Sequence, residues 1–109
     1  MKYGFFDEYW MDADGNPTGG VVSGRGFTIS WQNGPLGRGD DRREPNGAFV
    51  EDVLAAVMQR VQFYQDASAG RFACIENEKA LAYLQGAADW LDARTKAREA
   101  REVEGTHQV

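Results

Sequence analysis

Residues 46–105 read NGAFVEDVLAAVMQRVQFYQDASAGRFACIENEKALAYLQGAADWLDARTKAREAREVEG, and the spacing of their apolar side chains decides the fold. Val50, Val53, Leu54, Val57, Val61 and Tyr64 recur at helical spacing. Asn46 is placed to cap a helix over about 47–67, with Glu51 in its early turns. The triplet SAG at 68–70 breaks it. A second helix is expected over about 75–102, with Leu81, Leu84, Ala88 and Leu91 as its apolar stripe and Gly105 as its stop signal. A short link between two long helices predicts an antiparallel helical hairpin across 47–105.

Upstream, the pattern changes to that of strands. Tyr3, Phe5, Phe6, Tyr9 and Trp10 form an aromatic run of high strand propensity. DADGNPTGG (12–20) is dense in turn formers. In VVSGRGFTISWQ (21–32), Phe27, Ile29 and Trp31 alternate with Thr28 and Ser30. Residues 1–32 therefore predict two or three antiparallel strands, which alone would be marginally stable and need an apolar surface to pack on. A Gly/Pro/charge-rich loop at 33–46 joins them to the hairpin. The expectation is one α+β domain over 1–109: a small N-terminal antiparallel sheet followed by a long helical hairpin.

Composition narrows the function classes. The 109 residues are 42% hydrophobic and 27% charged, with a net charge of −5, the profile of a globular chain. That charge repels phosphates at long range and argues against non-specific DNA or membrane binding. Cys74 is the only cysteine, so no internal disulfide can form and a reducing cytoplasm is expected. The first residues carry acids where a signal peptide needs an apolar run. No stretch approaches the roughly 20 apolar residues of a membrane span.

Most chemical signatures fail on spacing. Counting an EF-hand loop from Asp12 puts Gly15 too early and Ser23 where the bidentate Glu belongs, which leaves a hairpin turn. GPLGRG (34–39) lacks the Gly-Lys-Ser/Thr ending of a phosphate loop. It is a connecting loop, or a weak backbone-amide nest with Arg38 beside it. His107 is the only histidine; it and Cys74 read as a frayed terminal residue and a buried thiol, not as metal ligands or a nucleophile. No catalytic constellation, metal cluster or cofactor motif is found, so the chain is expected not to be an enzyme and to need no cofactor.

One feature of the second helix stands apart. At about 100° per residue, Trp90, Arg94, Arg98 and Arg101 share one face. Like charges at i and i+4 cost a helix a few tenths of a kcal/mol each. Arg94 has no acid at i±3 or i±4, whereas Arg98 can use Glu102 and Arg101 can use Glu104. A charged face near a helix C-terminus, favoured by the macrodipole, and a bidentate phosphate site with Trp90 stacking beside it stand level on spacing alone.

FTISWQNGPLGR, PNGAFVEDVLAAVMQRVQFYQ, FACIENEKALAYL and WLDARTKAREAREVEGTH together resemble the Thoeris anti-defence protein 1 family over about residues 26–107, and the helical part also resembles anti-CBASS protein 2. The resemblance implies a small bacteriophage protein in the infected bacterial cytoplasm. Such proteins act as sponges: they sequester cyclic ADP-ribose isomers, such as glycocyclic ADP-ribose, without cleaving them. Some members also hold cyclic di- or trinucleotides at separate sites, and the family forms homodimers that assemble further into hexamers, trimers of dimers. Carried onto matching positions, the pocket would use Tyr64 (with Phe63 beside it), Asn77, Arg94 and Arg98, and Arg38 would mark the cyclic-trinucleotide site.

Geometry bears on that assignment independently. Asn77 and Arg94 are seventeen residues apart, or about 25 Å along one straight helix. A compact ligand of about 10 Å cannot touch both. An antiparallel second copy would place Asn77 of one chain beside Arg94 and Arg98 of the other, giving two equivalent pockets. The alternative is an oligomeric interaction module whose arginine face pairs with acids on a partner chain.

Overall fold

The computed structural model describes residues 5–109. Strands β1 (Phe6–Met11), β2 (Pro17–Gly24) and β3 (Phe27–Ser30) form an antiparallel sheet in that order. The expected strand position Tyr3 lies outside the described residues. The β1–β2 turn is an Asx turn: Asp12 Oδ1 accepts the backbone N–H groups of Asp14 and Asn16, both at 2.9 Å, while Asn16 Nδ2 donates to Oδ2 at 3.2 Å. This is the short-side-chain chemistry that favours Asp at turns. It also holds the Asp12 carboxyl below the usual carboxylate range, with the Asn16 backbone bond the largest cause.

The register pairs Asp7 with Val22 and Val22 with Ile29, so partners share a face. Phe5 packs edge-on against Phe27 at 5.2 Å between centroids. Trp31 continues past β3 as an isolated parallel bridge to Ala48. Through it Gln32 donates to the Ala48 carbonyl and the Ala48 N–H to the Ser30 carbonyl.

The chain divides into two units. The first holds residues through Phe49 together with Arg101–Val109, so the C-terminal tail completes the sheet unit. Among the described residues, its buried apolar side chains are Leu36 and Val103, one from the loop and one from the tail. Around them the Gly37 N–H donates to the Gly105 carbonyl at 2.8 Å, and Arg38 Nη1 donates to the Glu104 carbonyl at 3.1 Å. Arg42 grips the Glu104 carboxylate with both Nη atoms, at 2.6 and 3.0 Å, the fork geometry that makes Arg the favoured partner.

The second unit, Val50–Ala100, is the expected helical hairpin: α1 (Val50–Gly70) and α2 (Ile75–Ala100). α1 starts three residues later than the sequence suggests. Asn46 does not cap it: its amide is spent on both backbone groups of Asn33, at 2.8 and 3.0 Å, and Ala48 belongs to the bridge with Trp31. At the other end Ala67, Ser68 and Ala69 leave helical geometry, the last two in the left-handed region. The expected break at SAG is therefore present. Across it, Gln65 clamps Cys74 in both directions, Oε1 accepting its N–H at 2.9 Å and Nε2 donating to its carbonyl at 3.1 Å. Cys74 is exposed rather than buried, because its backbone, not its thiol, does the fastening. α2 ends at Ala100 and not at Gly105; Glu102 already adopts a left-handed φ of 59°.

Within the hairpin the half-buried positions include Leu54, Met58, Val61 and Gln65 on α1, and Asn77, Leu81, Leu84, Ala88, Leu91, Thr95 and Arg98 on α2. These trace one stripe per helix. Neither helix contains a fully buried residue. No helix among the described residues is long and apolar enough to cross a membrane.

Candidate functional site

Two clusters occupy opposite ends of the hairpin. At the turn end, the Gln65–Cys74 clamp fastens the end of α1 to the residue that precedes α2. Asn77 is half-buried at the head of the inward stripe. Tyr64 is exposed, as is Phe63, and their rings meet at 5.9 Å between centroids. Arg60, one turn back, completes the group. Its guanidinium carbon lies 5.1 Å from each ring centroid, and Nε donates to the Tyr64 hydroxyl at 3.2 Å. The spacing of Arg60, Phe63 and Tyr64 at i, i+3 and i+4 is the sequence signal for this group.

At the other end stand Trp90, Arg94 and Arg98. Trp90 is 79% exposed. Arg94 is exposed and makes no ion pair among the described residues. Arg98 is half-buried. The acid nearest to Arg94 along the helix, Asp92, is tied to Lys96 at 2.8 Å, a bond that raises the lysine's affinity for its proton. By helical geometry that pair lies away from the arginine stripe. Arg101 takes a different partner from the one expected. Its Nη1 donates to the Val109 carbonyl at 2.8 Å, because Glu104 is held by Arg42.

α2 is unbroken from Ile75 to Ala100, so Asn77 and Arg94 stand about 25 Å apart along its axis. Within one chain Arg94 and Arg98 stand about one helical turn apart, whereas Asn77 lies too far along α2 to share a compact ligand with them. Both clusters share a side, however. Val50, Val57 and Tyr64 on α1, each roughly half exposed, recur every seven residues. Tyr83 and Trp90 on α2, each 79% exposed, do the same. Because the helices run antiparallel, their rotation turns both rows, and Arg94 with them, toward the same broad side of the hairpin.

Arg38 lies elsewhere, in the loop-and-tail clasp of the sheet unit, with one Nη on the Glu104 carbonyl. Beside the clasp, an open cleft of about 330 Å³ is walled by Trp31, Gln32, Pro35, Thr106 and His107, among others. His107 is thus part of a surface, where the sequence suggested a frayed end. The side-chain amide of Gln32 is already used on the Gly34 carbonyl and the Asn46 N–H. No cluster of three or more His, Cys, Asp or Glu able to hold a metal occurs among the described residues.

No protein-family model matches the chain. Over 86 residues, 79% of its length, it is 38% identical to a protein of Bacillus phage SBSphiJ7 described as Thoeris anti-defense 1. The match spans 56% of that relative.

Proposed function

We propose that this chain, which belongs to the Thoeris anti-defence protein 1 family, is a phage anti-defence protein that binds cyclic ADP-ribose signals, glycocyclic ADP-ribose foremost, and holds them uncleaved. The observation that carries this reading is the arginine end of α2: an unpaired Arg94, a half-buried Arg98 and an exposed Trp90 on one rigid face. Two guanidinium forks can hold a pyrophosphate through charge-assisted bonds. The chain's net charge of −5 does not prevent this, since exposed charges beyond about 8–10 Å are screened while contact pairs are not.

Two copies complete the pocket. An antiparallel, two-fold pairing of hairpins sets Asn77 and Tyr64 of one chain against Arg94 and Arg98 of the other. Tyr64 stacks on the purine, and Asn77 offers donor and acceptor to base or ribose. The exposed rows Val50, Val57, Tyr64 and Tyr83, Trp90 support the pairing, because a second hairpin gives them the burial that one hairpin lacks. Such dimers assemble further as a hexamer of three dimers in the host cytoplasm. Cyclic di- or trinucleotides would be held separately, at the loop around Arg38.

Titration calorimetry with glycocyclic ADP-ribose tests the reading. Tight binding is expected, with one ligand per chain, and heating the complex should release the ligand intact. Arg94→Ala and Arg98→Ala should abolish binding while leaving the melting temperature nearly unchanged. Recovery of a cleaved ligand would sink the sponge reading. The same apolar rows favour one second reading, an oligomeric interaction module with a structural arginine face. Assembly restored by double charge reversal, with no nucleotide bound, would establish it instead.

A further inference from the structure

The turn end of the hairpin holds a cation that the pocket described above does not use. Arg60 has Ala56, Val57, Phe63 and Tyr64 at i±3 and i±4, so its own helix offers it no carboxylate. It forms no ion pair among the described residues. Instead its guanidinium lies 5.1 Å from the centroids of both Phe63 and Tyr64, and its Nε–H donates to the Tyr64 hydroxyl at 3.2 Å.

An exposed tyrosine on a helix ordinarily samples several rotamers, and immobilising it on binding costs affinity. The three contacts of Arg60 restrict that freedom before any ligand arrives. The cation–π contacts hold the rings, and the hydrogen bond fixes the hydroxyl as an acceptor from Nε, so its own proton points away. Phe63 is held in the same unit, so both aromatic rings depend on the one guanidinium. A lysine cannot substitute, because an ammonium is a point charge without the planar fork and stem nitrogen that make these contacts together.

We infer that Arg60 is a positioning residue of the ligand site, holding the Tyr64 ring in its stacking orientation and thereby lowering the ordering cost of nucleotide binding. The inference rests on the proposed binding of a cyclic ADP-ribose signal and adds to it the residue that prepares the aromatic wall.

The test is a titration of glycocyclic ADP-ribose into wild type, Arg60→Met, Arg60→Lys, Tyr64→Phe and the double variant Arg60→Met/Tyr64→Phe, with Arg94→Ala as reference. Arg60→Met and Arg60→Lys should each weaken binding by about three- to ten-fold, mainly through faster dissociation. Their melting temperatures should stay close to wild type, since all three side chains are on the surface. The double variant should bind no more weakly than the poorer single variant, because both substitutions remove the same contact. If Arg60→Lys binds like wild type, charge alone suffices and positioning is wrong. Additive losses in the double variant would refute the coupling to Tyr64. Binding unchanged in every Arg60 variant while Arg94→Ala abolishes it would overturn this inference alone; wild type that binds none of the nucleotide would overturn it together with the function it rests on.

Discussion

Replacing Gly105 by Ala tests whether the C-terminal tail is part of the sheet unit's core. Gly105 has a φ of +80°, and a Cβ built there would overlap the Gly37 carbonyl oxygen. Gly26 has nearly the same φ, +84°, yet a Cβ there meets nothing within 4 Å. Alanine at either site adopts a left-handed conformation at about 1–2 kcal/mol, and both substitutions stiffen the unfolded chain equally. Only at position 105 must the tail also move. That breaks the Gly37–Gly105 hydrogen bond, worth about 0.5–1.5 kcal/mol, and draws Val103 out of a site whose full burial is worth about 1.5–3 kcal/mol. Gly105→Ala should therefore cost about 2–4.5 kcal/mol more than Gly26→Ala. Urea unfolding followed by tryptophan fluorescence reads this directly, since Trp10 and Trp31 both belong to the sheet unit. Equal losses in the two variants would refute the docked tail.

The same clasp predicts that Val103→Ala costs about 1–3 kcal/mol, measured by chemical denaturation, although Val103 lies in the tail beyond α2. The Asx turn predicts a pH effect. The carboxyl of Asp12 is held below its ordinary value in the folded chain, so its contribution is complete above about pH 4. It is lost as pH falls through the lowered folded value. Thermal melts should then show wild type losing its advantage over Asp12→Asn on acidification below about pH 4; a constant difference across that range would contradict the turn chemistry. Gln65→Ala removes both bonds to the Cys74 backbone and should lower stability by about 1–2 kcal/mol, with faster amide exchange at Cys74 as the local readout.

The hairpin was legible because long amphipathic periods with a breaker between them leave few alternatives, and the three strands followed from alternation and turn residues. The ends of the helices were not legible, for reasons that are local competitions. Asn46 is a good cap by residue type, but its amide makes two bonds to Asn33 instead. Gly105 is a good helix stop, but α2 ends five residues earlier. The next segment is claimed by the partnership of Glu104 with Arg42, sixty-two residues away, and no sequence spacing reports such a pair. Of the candidate site, the arginine stripe and its distance from Asn77 could be read from helical geometry alone. Arg60 stands in the helical pattern, but only the two rings around its guanidinium give it a role. The exposed thiol of Cys74 shows the limit of composition: cysteines are usually buried, but here the residue sits in a turn fastened through its backbone.

Native mass spectrometry of the purified chain with a panel of cyclic ADP-ribose isomers and cyclic oligonucleotides tests the central claim most directly, because it reports assembly and ligand together. The two-copy pocket predicts dimers, or multiples of dimers, carrying two intact cyclic ADP-ribose molecules per pair of chains, and no such adducts for Arg94→Ala. A monomer that retains the ligand would contradict the shared pocket, and a dimer that takes up none of the panel would contradict sequestration itself.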